Sequence, residues 1–249
     1  HTLRQWDQLS SSRVDYLLAN STFTAKRIWK YWRRHSEVLY PPVNINRFEW
    51  EKPREDFYLS VCRLVPNKRV DLVVRAFNKL KLPLVVVGDG VEKAYLKDLA
   101  GPTVQILGFQ SKEKIEKLMS RCRAFVYAGI EDFGIAPVEA MASGAPVIAF
   151  AKGGVLDTVK CFNSNSDKRA TGLLFPDQTV KSLVEAIEFF KEKQLWRDLN
   201  PELIRDWSNS FSQDSFKKRF EQTINRAWRE HKNSCDITTS DLSSLSRKS

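Results

Sequence analysis

Val126-Tyr127-Ala128-Gly129-Ile130-Glu131-Asp132-Phe133-Gly134-Ile135-Ala136-Pro137-Val138-Glu139 holds a strand end, a turn and a helix start in one short segment. The apolar run ending at Ala128 has the composition of a buried strand, an acidic loop punctuated by glycine follows, and Pro137 suits a first helical turn. Such a segment is the carboxyl edge of a sheet strand feeding a helix N-terminus. Open α/β sheets bind ligands at this edge, where free backbone N–H groups and the helix dipole favour anions. Glu131 and Glu139 place one carboxylate on the loop and one on the first turn, both able to face one pocket.

The same alternation runs along most of the chain. Apolar runs of strand length occur at Tyr16 to Ala19, Val38 to Tyr40, Phe57 to Cys62, Leu84 to Val87, Val104 to Leu107, Ala124 to Ala128, Val147 to Phe150 and Leu173 to Phe175. Helical stripes lie between them: Val70, Val73, Val74 and Phe77; Ile115, Leu118, Met119 and Cys122; Val180, Leu183, Val184 and Ile187. The pattern predicts an α/β fold built on a Rossmann-like parallel sheet. Ser21 or Thr22 is positioned to cap a helix carrying Ile28, Trp29 and Trp32, and Pro41-Pro42 marks a domain boundary. Ser210 and Gln213 have capping-box spacing ahead of a long terminal helix with Phe216, Phe220, Ile224 and Trp228. The first 40 or so residues are too few to fold alone and should pack on something absent or on that helix.

Composition narrows the functional classes. With 249 residues, 42% hydrophobic and 28% charged, the chain has room for one or two domains and is neither a small stapled scaffold nor disordered in bulk. Its longest apolar run, Ala145 to Ala151, is far short of the about 20 residues that span a bilayer. His1-Thr2-Leu3-Arg4 opens no signal peptide, and the chain reads as the trimmed part of something longer. Cys62, Cys122, Cys161 and Cys235 form no CxxC pair, and His1, His35 and His231 show no ligand spacing. No disulfide framework or metal site is expected, and a cytoplasmic setting is the simplest reading. The net charge of +10 is carried outside 126–211, which is net acidic. A basic balance fits nucleic acid, an anionic membrane or a phosphorylated ligand without choosing among them.

Chemistry makes the choice. Carboxylates beside an anion-binding turn would repel a bare phosphate, but they accept hydrogen bonds from vicinal hydroxyls, so a ligand with both a pyrophosphate and sugars fits best. Taken singly, Glu131 reads equally as a solvated loop acid and Glu139 as a favourable first-turn acid. Arg63 and Lys68, directly after the strand Phe57 to Cys62, bring a planar fork and a point charge to the same edge. Gly88-Asp89-Gly90 reads as a nucleotide turn or as a plain tight turn. The helix Thr24 to Arg34, with Lys26, Arg27, Lys30, Arg33 and Arg34, reads as a solvated face or as a peripheral contact with an anionic membrane.

The two glutamates with seven residues between them, Phe133-Gly134 after the first, and the block Glu139-Ala140-Met141-Ala142-Ser143-Gly144-Ala145-Pro146-Val147-Ile148-Ala149 resemble the signature of the family 4 retaining glycosyltransferases, which have the GT-B fold. Ala19 to Phe23, Tyr40 to Val43, Arg63 with Lys68, Val87 to Gly90, Gly108-Phe109, Gly153-Gly154 and Thr171 to Phe175 fall in that family's order and spacing. The resemblance implies that Arg63 and Lys68 bind the diphosphate and stabilise the leaving group. It implies that Glu131, with Asp132 and the backbone of Phe133, Gly134, Ile135 and Ala136, holds the donor sugar. Glu139 would hold the ribose, and Gly108 with Phe109 would meet the base. Arg63, Lys68 and Glu131 form the implied catalytic group, no metal or other cofactor is required, and the leaving phosphate can itself take the acceptor proton.

On this resemblance the chain is the C-terminal half of a GT-B fold with the N-terminal domain largely absent. Residues 1–42 are the end of an acceptor domain, 43–206 the nucleotide-sugar domain, 207–232 a helix returning to the acceptor domain and 233–249 a disordered tail. The implied reaction is hexosyl transfer to a glycan or lipid-linked acceptor, cytoplasmic or at the inner face of a membrane, with no nucleic-acid partner. A UDP-sugar is favoured because such donors are commoner in the family, and GDP-mannose is next. Rival readings are a donor-binding fragment without turnover, a sugar-nucleotide epimerase, and a basic nucleic-acid module. The last would need aromatics and cations interleaved on one sheet face.

Overall fold

The computed structural model describes residues 2–162 and 169–245, with side chains through residue 233. Helix α1 (Thr2–Ser11), strand β1 (Leu18–Ala19), helix α2 (Thr22–Trp32) and strand β2 (Glu37–Val38) come first, β1 and β2 pairing in parallel. There follow β3 (Tyr58–Val61), α3 (Val70–Leu80), β4 (Leu84–Val87), α4 (Lys93–Leu99), β5 (Val104–Gly108), α5 (Lys112–Arg121), β6 (Ala124–Tyr127), α6 (Ile135–Ala142), β7 (Val147–Phe150), α7 (Val155–Thr158) and β8 (Gly172–Phe175). Helices α8 (Val180–Glu192), α9 (Leu195–Asp198), α10 (Pro201–Ser208) and α11 (Gln213–Leu245) complete the chain.

Six strands form one parallel sheet in the order β5-β4-β3-β6-β7-β8. Its central strands read as unbroken apolar runs because helices cover both faces: every residue of β6 and of β7 is buried. The helical stripes point where their period requires, with Val70, Val73, Val74 and Phe77 buried on α3 and Leu183, Val184 and Ile187 on α8. From β3 the chain builds outward to β4 and β5, then returns to place β6 on the other side of β3. That reversal opens a crevice at the carboxyl ends of β3 and β6.

The first segment rests on the terminal helix and on the loops at the sheet edge. Glu37 accepts from Thr223 Oγ1 at 3.2 Å and pairs with Arg226, while Tyr16 donates to Glu230 at 3.2 Å. Asp157 of α7 accepts from the Thr22 backbone N–H at 2.7 Å, beside the cap in which Ser21 Oγ accepts from Thr24 N–H at 3.0 Å. Two details differ from the sequence reading. Ser210 lies in a 3-10 turn (Asn209–Phe211), and the N-cap of α11 is Ser212, whose Oγ accepts from Ser215 N–H at 3.1 Å. Helix α11 also continues to Leu245, into the segment expected to be a disordered tail, because adding residues to a nucleated helix costs little; residues 246–249 lie outside those described.

Candidate functional site

The crevice holds a cavity of about 350 Å³ lined by Cys62, Arg63, Asn67, Lys68, Tyr127, Glu131 and the stretch Gly134 to Pro137. Three segments meet there. Arg63 lies two residues past the end of β3, and Lys68 sits two residues beyond Pro66, which starts a 3-10 turn that ends at the lysine. Glu131 comes from the loop after β6, and its carboxylate pairs with the Lys68 ammonium. Helix α6 aims its N-terminus at the cavity, bringing Ile135 and Ala136 to the wall.

Close backbone packing fixes these loops. A Cβ at Gly88 would collide with the Cys62 carbonyl oxygen, and Leu64 N–H donates to Asp89 O at 2.9 Å, so the Gly88-Asp89-Gly90 turn is the seat of the Arg63 loop. Across the sheet, Gly154 N–H donates to Glu131 O at 2.8 Å, and a Cβ at Gly154 would strike the backbone of Asp132 and Phe133. Neither close approach tolerates a side chain.

The structure gathers Arg63, Lys68, Glu131, Gly134, Ile135 and Ala136 around one space. Other expected site residues lie elsewhere. Asp132 turns away from the cavity to pair with Arg27 of α2 at 2.6 Å. Phe133 is buried in an aromatic cluster with Tyr40 and Phe211, leaving only its backbone near the loop. Gly108 ends β5 at the far side of the sheet edge, and Phe109, just past it, is 78% exposed.

Glu139 departs most from the expectation that it shares a pocket with Glu131. One turn beyond Ile135, it accepts from Arg47 Nη2 at 2.5 Å, and the same guanidinium reaches Glu116 of α5 at 3.1 Å. Burial and the nearby Glu116 push the Glu139 carboxyl above its usual range, and Arg47 opposes them. Arg47 is absent from the sequence reading because no local spacing marks a cation that reaches its partner 92 positions later. Burial also pushes the Cys62 thiol up to about 11, although Lys68 acts the other way. Among the described residues, no group of three or more His, Cys, Asp or Glu is arranged to hold a metal ion.

Comparison with known proteins agrees with this architecture. A family described as glycosyl transferases group 1 matches residues 43–211. The chain is 26% identical to the α-1,3/1,6-mannosyltransferase ALG2 of Candida glabrata, over 91% of this chain and 62% of that protein. It is 25% identical to its Saccharomyces cerevisiae counterpart, over 91% of this chain and 57% of the relative. The chain therefore spans about three fifths of the length of these relatives. Among solved structures, Anabaena Alr3699/HepE in complex with UDP and glucose superposes with a TM-score of 0.74 at 22% identity, over 90% of this chain and 67% of the other. Sucrose-phosphate synthase from Thermosynechococcus elongatus gives 0.74 at 20% identity, over 92% and 62%. These likenesses give the sheet, its strand order and its crevice the GT-B fold. With a family match across more than half its length, the chain belongs to the group 1 glycosyl transferases.

Proposed function

We propose that this chain is the donor-binding part of a retaining mannosyltransferase that takes GDP-mannose. The carrying observation is the single cavity in which two cations, a carboxylate and a helix N-terminus converge. A nucleotide sugar offers a partner to each: Arg63 and Lys68 meet the diphosphate, the N–H groups at the start of α6 meet its outer oxygens, and Glu131, released from Lys68, accepts from the hexose hydroxyls. The departing diphosphate gathers negative charge where these donors already stand, which lowers the barrier electrostatically and leaves no charge work for a metal ion. The preference for mannose over the UDP-glucose favoured by the sequence is supported by relatives named as mannosyltransferases. Residues 1–42 and α11 then belong with an acceptor-binding domain, and the acceptor is a glycan or lipid-linked glycan.

Calorimetric titration with GDP, UDP, GDP-mannose and UDP-glucose tests the reading. Saturable binding of the guanosine ligands, tighter with mannose attached, is the expected result. Binding of uridine ligands alone would return the donor to UDP-sugar, and binding of none would refute the donor site. Turnover belongs in an assay of a longer chain.

A further inference from the structure

We propose that Arg47 is a positioning residue for Glu139, fixing one carboxylate oxygen and leaving the other to the diol of a nucleotide ribose; the inference rests on the donor-site reading above. Arg47 ends a 3-10 turn (Ile45–Arg47) just beyond the Pro41-Pro42 connector. The turn is mounted rigidly on the helix that carries Glu139. Ile45 and Phe48 are buried, and Arg205 Nη1 donates to the carbonyls of Ile45 at 3.3 Å, Phe48 at 3.2 Å and Ala142, at the end of α6, at 2.6 Å. The Arg47 guanidinium lies over the Phe48 ring at 4.5 Å, which fixes its plane.

From that mount, Arg47 Nη2 donates to Glu139 Oε1 and Nη1 reaches Glu116 Oε1. Among the described residues, Glu139 Oε2 takes no hydrogen bond. Glu139 is 20% exposed and faces a second acid, so burial and Glu116 raise its carboxyl, and loss of the opposing Arg47 cation would raise it further. A protonated carboxyl donates at one oxygen, whereas a vicinal diol needs acceptors. The charged groups around it are Arg47 from the connector and Glu116 from α5, with Glu49, Glu113 and Lys117 lining the small cavity alongside. The connector thereby reaches Glu139 of α6 and Glu116 of α5 through one guanidinium.

The test titrates wild type, R47M, R47K, E139Q and R47M/E139Q with GDP and UDP between about pH 5.5 and about pH 8.5. Wild type and R47K should bind with a flat profile. R47M should be about tenfold weaker at the acid end and recover as pH rises, and E139Q and the double variant should be equally weak and flat. An R47M profile parallel to wild type, or an acid-end loss that persists in the double variant, would overturn the proposal. Thermal melts verify folding, and R47Q, which keeps donors without the charge, repeats the comparison if R47M does not fold. Carbon-13 carboxyl NMR adds a ligand-free reading in which the Glu139 midpoint rises in R47M, and an unmoved midpoint also overturns the proposal. Absence of nucleotide binding by wild type would refute the donor reading, and the NMR midpoint would still report whether Arg47 governs Glu139.

Discussion

Replacing Lys68 with alanine removes the cation that pairs with Glu131 at the mouth of the cavity. The two side chains are 17% and 31% exposed, so a contact between Lys68 and the diphosphate of the proposed donor would be partly shielded from water. A charge-assisted hydrogen bond of that kind contributes about 1.5–3 kcal/mol, or about 10- to 150-fold in affinity. A second effect runs in the same direction. Without Lys68, Glu131 stands unpaired beside the incoming phosphates, and a unit charge about 6 Å away at an effective dielectric of about 20 is repelled by roughly 3 kcal/mol before the loop relaxes. Lys68→Ala should therefore lose at least tenfold for GDP or UDP, and Lys68→Ala with Glu131→Gln should recover part of that loss. Calorimetry on the wild type and both variants, with circular dichroism to confirm folding, measures the cycle. A Lys68→Ala affinity within about twofold of wild type, or a double variant weaker than the single, would refute the reasoning.

Gly154→Ala pushes a methyl group into the backbone of Asp132 and Phe133; a stability loss of about 1–3 kcal/mol in urea unfolding is expected, with weaker nucleotide binding. Arg205→Met strips three carbonyls of a shared donor at the junction of α6 and the Ile45–Arg47 turn, and chemical denaturation should show a loss of about 1–3 kcal/mol. In a background lacking Cys161 and Cys235, thiol labelling of Cys62 should still climb about tenfold per pH unit between about pH 8 and pH 10, since burial holds the thiol at about 11. The unfolded chain gives up that proton near pH 9 and the folded chain keeps it, so stability is intact below about pH 9 and declines as pH rises toward 11. A rate that levels off by about pH 9 would contradict both statements.

The strands and the principal helices were legible because their signals are local. A run such as Val147 to Phe150 can only be a buried strand, and the stripe from Val70 to Phe77 can only face a sheet. Arg63, Lys68 and Glu131 were legible for a topological reason: each follows a strand end, and β3 and β6 turn out to be neighbours. What escaped was set by distance or by weak pattern. Helices α1 and α10 carry mixed polar sequences, and Ser212 rather than Ser210 caps α11 because a 3-10 turn intervenes. Glu139 was correctly placed on the helix, but its direction depends on Arg47, Glu116 and Arg205, which converge only when the chain is folded.

The two backbone interlocks divide the sheet edge unequally. The turn after β4 is seated against the loop after β3, and the turn after β7 against the loop after β6, so each neighbouring pair is packed backbone to backbone. The two pairs meet between β3 and β6, where the Lys68–Glu131 ion pair and the close approach of Gly129 to the Lys68 backbone both cross. A side chain added at Gly129 would push the Lys68 backbone away from the loop after β6 and so disturb the ion pair without touching either charge.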